Sequence, residues 1–406
     1  MTSQTEQFPM GRTEFVTLIA MMMASVALSI DAMLPALPQI GAELTPDAMH
    51  RAPLMLSMFL LGLGLGTFFA GPLSDAYGRK KIILCASALY AAGAALVVVS
   101  HSFEMVLLGR VLQGLGASGP RIVGLAIVRD RYAGRQMAQI ASIVMLIFSL
   151  VPAIAPLMGT AIMYVSDWHG IFIAFIIFAG ILCLWMSLRL PETLPPAQRR
   201  PIKLSLIRDA LSEIAAHRVV RISIFVQTLV VGMLFLTLML VQQIYDGVYG
   251  RGEEFPYWFG IVAILSASAS VINALLVVRL GMYKLVTITL GFQILLSAAF
   301  WLLDLGAGTY GFYFFVAWQT SIFFQAGMTL GNLSAISMEP MGHIAGMAAS
   351  VVGAIATVGA VAISGPIGMM FDGDERLLTG SVLLLALAAF TCMLWMGRRI
   401  GDEQPA

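Results

Sequence analysis

Charge is what this sequence has least of. Asp, Glu, Lys and Arg make up 11% of its 406 residues and 59% are hydrophobic; soluble globular chains carry about 25% charged residues. A water-soluble protein this apolar could not cover its own surface, so lipid must be the solvent for much of it. The net charge is +1, which leaves no basic excess to attract nucleic acid. Cysteine is nearly absent as well: Cys85, Cys183 and Cys392 lie far apart inside apolar runs, which excludes a disulfide framework. They and five scattered histidines form no ligand cluster, so neither a metal nor a cofactor is expected. No Walker pattern occurs, so ATP is not expected to drive this chain directly. No grouping of His, Asp or Cys lies near a bilayer surface, which argues against a membrane enzyme.

What the chain does have is long apolar runs. A spanning helix needs about 20 mostly apolar residues, and twelve such segments can be marked, at 14–36, 53–73, 82–100, 105–128, 137–165, 168–190, 219–244, 257–278, 284–305, 310–333, 341–370 and 377–396. The first follows a polar stretch from Met1 to Arg12, is too long for a signal-peptide core and lacks a clear cleavage site, so it reads as a span. The longest gap holds Pro191, Pro195, Pro196 and Pro201 with Arg199, Arg200, Lys203, Arg208, His217 and Arg218. The fold class expected is an all-α polytopic membrane protein with twelve transmembrane helices in two six-helix bundles. Its parts are an N-terminal bundle over 1–190, a cytoplasmic linker over 191–218 and a C-terminal bundle over 219–406.

The basic residues orient it. With both termini in the cytoplasm, 18 of the 23 Lys and Arg fall inside or at inner helix ends, from Arg12 to Arg399. Arg51, Arg251 and Arg376 alone fall outside, and Arg110 and Arg121 lie within the fourth segment. That asymmetry follows the positive-inside rule and supports the even helix count. The halves also form a weak repeat. GPLSDAYGRKKII, from Gly71 to Ile83, and VVRLGMYKLV, from Val277 to Val286, each place a glycine and then a basic residue between two spans. Duplicated halves suit a transporter with its site at their interface.

Few residues bring chemistry into the spans. Asp31 lies in the first, where a carboxylate is costly unless neutralised, paired or wetted. On a wheel of 100° per residue it shares a face with Thr17, Ala20, Ala24 and Ala27. That small-residue stripe suits either a cavity wall or close helix packing. Arg110 and Arg121 are eleven residues apart in the fourth segment, almost three whole turns, with Gly114, Ala117 and Gly124 on the same face. Arg110 is the expected partner of Asp31, and two arginines against one aspartate would welcome an anionic or carbonyl-rich solute. Asp75 and Arg79 lie in the short loop after the second segment, where Gly71 and Gly78 permit tight turns, and Arg129 and Asp130 end the fourth segment on the same side of the membrane; an ionic latch there would gate the cytoplasmic side. Pro152, Pro156 and Gly159 are expected to interrupt the fifth segment, Pro120 the fourth, and Gly365, Pro366 and Gly368 the eleventh. Gly114, Gly116 and Gly119 spell G-x-G-x-x-G, but with no strand before them they read as a packing face, as do Gly62 and Gly66. The second half carries no ionisable residue deep in a span; Gln227, Asn273, Gln319, Gln325 and Asn332 are among its polar residues there.

These motifs resemble the major facilitator superfamily. GPLSDAYGRKK is similar to its loop between helices two and three, with Gly71, Asp75, Gly78 and Arg79 matching, and GRVLQGLGASG to its fourth-helix motif, with Arg110, Gln113 and Gly114 matching. Within it, SIDAMLPALPQI, AIVRD, PAIAPLMG, DWHGIF and PETLPP most resemble the bicyclomycin-resistance group of drug:proton antiporters. The resemblance implies a monomeric exporter of lipophilic antibiotics in exchange for protons across a bacterial inner membrane. It makes Asp31 the proton carrier and substrate reader and gives Arg110 the fourth-helix arginine's place. The fifth helix departs from the usual Gly-Pro of the antiporter motif, having Ala155 before Pro156. A second acid that some relatives carry earlier in the first helix is replaced by Met21, Met22 and Met23. A proton-coupled exporter or permease for one metabolite is the alternative within transport.

Overall fold

The computed structural model of the chain describes residues 9–199, 201 and 204–403. Arg200 and Lys203, counted above among the linker's basic residues, lie outside them. The twelve apolar runs become twelve long helices: α1 (Arg12–Asp31), α2 (Leu54–Tyr77), α3 (Arg79–Val99), α4 (Phe103–Arg131), α5 (Gly134–Val165), α6 (His169–Arg189), α7 (Arg218–Gln243), α8 (Phe255–Leu280), α9 (Met282–Leu302), α10 (Gly311–Met338), α11 (Ala345–Met369) and α12 (Glu375–Glu403). Among the described residues, eleven helices are long and apolar enough to cross a membrane. The remaining segment, α10, is 28 residues long and uncharged. It is less apolar because it sets Gln319, Gln325 and Asn332 into the interior, where all three are buried.

The helices run on through the prolines expected to kink them. Pro120 lies inside α4, Pro152 and Pro156 inside the 32-residue α5, and Pro366 inside α11. Neighbouring helices and local adjustment absorb the lost backbone donor in such settings. The linker, in turn, is not all extended: it contains a 13-residue helix, Leu204–Ala216. That helix buries Ala210 and Ile214, and Ile214 joins a cluster with Val220, Met341, Ala348, Val351 and Val352, against which Phe68 of α2 packs.

Helices α1–α6 form one bundle and α7–α12 the other. Between them α2 packs on α11, and α5 on α8. The weak repeat is visible in the backbone. Gly78 links α2 to α3 at φ 101°, ψ 149°, and Gly281 links α8 to α9 at φ 77°, ψ 155°. Both turns use a conformation essentially reserved for glycine.

The two faces of the molecule differ. We call the face holding the start of α1 and the end of α12 the terminal face, and the other the distal face. One hydrophobic core joins both bundles. It runs through Met33, Phe59 and Phe172 of the first and Leu236, Met239 and Phe259 of the second. Near the terminal face the first bundle has a separate cluster around Phe15, Ile19, Val123 and Val144, all of whose members come from that bundle.

Candidate functional site

The seam between α2 and α4 shows why glycine is needed where it is. A Cβ on Gly62 would lie 2.1 Å from the Val111 carbonyl oxygen, and one on Gly114 would lie 2.0 Å from the Phe59 carbonyl oxygen. Gly116 and Gly119 approach Tyr90 and Ala86 of α3 in the same manner. The G-x-G-x-x-G run is thus a two-sided packing surface, and Gly114 does not line an open cavity as expected. Ala24, Ala27 and Ala117 are likewise buried. At the end of α1, α5 packs closely: a Cβ on Gly159 would lie 1.9 Å from the Ala32 carbonyl oxygen. Of the six residues expected along the cavity, Thr17 is exposed and Arg121 partly so.

Asp31 is the last residue of α1 and is 4% exposed. By rise alone it stands about 28 Å from the start of α1. Among the described residues its carboxylate has no salt bridge and no hydrogen bond. Pro156 and Gly159 of α5 are buried, and Gly159 abuts the residue that follows Asp31.

Arg110 stands at a similar depth, yet it is not the partner of Asp31. The fully buried guanidinium donates from Nε to the Met55 carbonyl oxygen (3.2 Å), from Nη1 to Gln113 Oε1 (2.6 Å) and from Nη2 to the Ser29 carbonyl oxygen (3.1 Å). It lies 4.4 Å from the ring centre of Phe59 and 5.6 Å from that of Phe172. Its donors are taken by neutral oxygens and its faces by aromatic rings, so no ion pair forms. The result is a brace joining α1, α2, α4 and α6, tied to α1 two residues before Asp31. Ser29 adds a hydroxyl contact to Tyr90 of α3. Sequence reasoning missed this because backbone carbonyl acceptors leave no mark on residue identity.

At the terminal face the expected latch residues do meet. Arg79 Nε donates to Asp130 Oδ2 at 3.0 Å, and Nη1 donates to Ser74 Oγ at 2.7 Å and to Asp75. Gly71 lies on the α2–α11 seam, where a Cβ would be 3.2 Å from Ser350 Oγ. Arg129 is exposed. Two members were not foreseen. Glu192 accepts from the backbone N–H of Arg79 (2.9 Å) and of Lys80 (3.3 Å), and Thr193 donates to Asp130 (3.1 Å). Both come from the PETLPP stretch, whose sequence shows the family resemblance but not this contact. Elsewhere at this face, a groove of about 520 Å³ opens in the second bundle, lined by His217, Tyr283, Lys284 and Glu339 among others.

A polytopic helical bundle with one uncompensated carboxylate and one partly open guanidinium in its spans has the make-up of a membrane transporter. The chain belongs to the Major Facilitator Superfamily, whose model matches residues 16–365. It is 29% identical over 357 residues to an uncharacterized MFS-type transporter, YdgK, of Bacillus subtilis (strain 168), covering 84% of this chain and 85% of that one. It is 27% identical over 374 residues to a bicyclomycin resistance protein homolog of Haemophilus influenzae, covering 89% and 91%. Among solved structures it resembles a D-xylose-proton symporter, with a TM-score of 0.70 at 14% identity over 94% of this chain and 97% of that one. The family makes this protein a multi-pass membrane transporter of small molecules and not an enzyme.

Proposed function

We propose that this protein exports small lipophilic drugs in exchange for protons by alternating access, with Asp31 as the proton carrier. The carrying observation is the Asp31 carboxylate, buried at membrane depth with neither ion pair nor hydrogen bond among the described residues. A buried charge without a partner is expensive, and taking up a proton removes the expense. The same group can therefore shuttle between a protonated and an ionised state as access alternates. The buried Pro156 and Gly159 of α5, packed at the end of α1, connect that change to the helix that meets α8 of the other bundle.

The likeness to a bicyclomycin resistance protein homolog supports drugs as the cargo. The distribution of Lys and Arg supports a bacterial inner membrane with both termini in the cytoplasm, which makes the terminal face cytoplasmic. We read 1–190 and 219–406 as the two moving units of one monomer and 191–218 as their tether. Asp75, Arg79 and Asp130, with Gly71 inside the last turns of α2, where the sequence suggests a loop, Gly78 at the turn and Arg129 beside them, act as the cytoplasmic gate.

Proton flux in everted vesicles tests this reading, with a pH-gradient dye and a panel of lipophilic antibiotics that includes bicyclomycin. Wild-type vesicles should lose part of their gradient on drug addition. Asp31→Asn vesicles with equal amounts of inserted protein should not. Equal responses from both would remove Asp31 from the proton path. No response to any drug in wild type would turn the assignment toward a proton-coupled exporter or permease for a single metabolite.

A further inference from the structure

We propose that Arg121 is an anion-recognition residue, and that the seam between the bundles takes amphipathic solutes bearing a carboxylate or a comparable monoanionic group. This rests on the transport reading above and names the class of solute that transport would prefer.

The direction of Arg121 follows from its neighbours on α4. Gly124 looks toward α1, where a Cβ would be 3.8 Å from Ile19 and 3.9 Å from Met22. Gly114 and Ser118 meet α2: a Cβ on Gly114 would strike the Phe59 carbonyl, and one on Gly66 would lie 2.4 Å from Ser118 Oγ. Gly116 and Gly119 meet α3 on the opposite side. At 100° per residue, Arg121 projects between the α1-facing and α2-facing positions, away from α3. Since α2 itself packs on α11 and touches α7, that direction leads to the seam between the bundles. Arg121 is ten residues from the end of α4, about 15 Å from the terminal face by helical rise. In this half α2 reaches the second bundle, with Phe68 packed against its Ala348–Val352 cluster.

Arg121 differs from the other arginine of its stripe in what it touches. Arg110 spends its donors on two backbone carbonyls and Gln113, and both its faces meet aromatic rings. Arg121, among the described residues, has no hydrogen bond, ion pair or ring contact, and it remains partly exposed. Among the described residues, no acidic side chain pairs with it. Asp31 stands about 13 Å farther from the terminal face by helical rise, and Asp75 is engaged by Arg79. The facing helices α7, α8, α10 and α11 contain no acidic residue at all. A lone guanidinium at membrane depth is costly, and here the protein supplies nothing to offset the cost. A solute that brings its own anion does. The planar fork of donors suits a carboxylate bidentately, and the apolar, uncharged sequence of α10 across the molecule suits a hydrophobic body.

A matched pair of probes isolates the charge: fusidate, a lipophilic carboxylate, and its neutral methyl ester. Binding to the purified full-length protein in lipid nanodiscs is measured by isothermal titration calorimetry for wild type, Arg121→Gln and Arg121→Lys. Wild type should bind the acid about 10- to 100-fold more tightly than the ester, the range of a hydrogen bond to a charged group. Arg121→Gln should lose that preference with the thermal midpoint unchanged, and Arg121→Lys should keep part of it. Wild type that does not prefer the acid overturns the proposal without any mutant being needed. So does Arg121→Gln that retains wild-type affinity for the acid. Proton flux driven by the antibiotic panel reports separately on the transport reading. No response to any drug, with the preference for the acid intact, would sink drug:proton antiport and leave the anion site standing.

Discussion

A fully buried guanidinium must find an acceptor for its donors, and Arg110 finds them on three different helices. Its acceptors are the carbonyl oxygens of Ser29 on α1 and Met55 on α2 and the amide of Gln113 on α4. A lysine would keep the charge, but a single ammonium cannot span all three acceptors. Arg110→Lys should therefore cost about 1–3 kcal/mol, the scale of a hydrogen bond to a charged group. Its thermal midpoint in detergent should fall; an unchanged midpoint would mean the brace contributes nothing to stability. The importance of Asp31 and of Arg110 was legible in the sequence, because an ionisable residue in an apolar run is rare for energetic reasons. Their pairing was inferred from matched depth alone. Depth says nothing about azimuth, and the backbone carbonyls that claimed Arg110 are the same at every residue type.

At the scale of helices, glycine placement decides how closely α2, α3 and α4 approach. The Cβ that alanine would add at Gly114 falls 2.0 Å from a backbone oxygen, which cannot move without shifting α2. Gly114→Ala should lower stability by about 1–3 kcal/mol or more, as overpacking does. Gly124→Ala, whose nearest atoms would be side-chain carbons at 3.8 and 3.9 Å, should change stability by about 0.5 kcal/mol or less. Thermal midpoints of the two variants, measured together, check the contrast; equal losses would remove close approach as the explanation. Twelve helices and the α2–α3 turn were legible because length, apolarity and glycine carry those signals locally. The hold of Glu192 on the first N–H groups of α3 was not. That cap comes from 113 residues away along the chain, and no local pattern encodes it. The stripe around Asp31 is ambiguous for a related reason: small side chains permit both an open wall and a close neighbour, and residue type alone does not separate the two.

For the whole molecule, the arrangement of the bundles makes a claim about motion. Near the distal face they are held together: Ser57 on α2 lies 3.1 Å from the Met239 sulfur on α7. A Cβ on Gly260 of α8 would lie 3.0 Å from the Ala153 carbonyl oxygen on α5. Near the terminal face they also touch: Phe68 of α2 packs on a cluster of the second bundle, and a Cβ on Gly71 would lie 3.2 Å from Ser350 Oγ of α11. If solute leaves on the distal side, the distal contacts must part in every cycle, as rocking of two repeats about a central site requires. Ser57→Cys combined with Met239→Cys, in a chain whose Cys85, Cys183 and Cys392 have been replaced, would place two thiols across that contact. A short bifunctional thiol reagent should then abolish drug-driven proton flux in the double variant. Either single variant treated alike should retain it, since a reagent tethered at one end leaves the bundles free to separate. Full cross-linking with undiminished flux would mean that this contact stays closed throughout transport. The distal pathway would then have to open elsewhere along the seam, and the two bundles could not move as rigid halves about it.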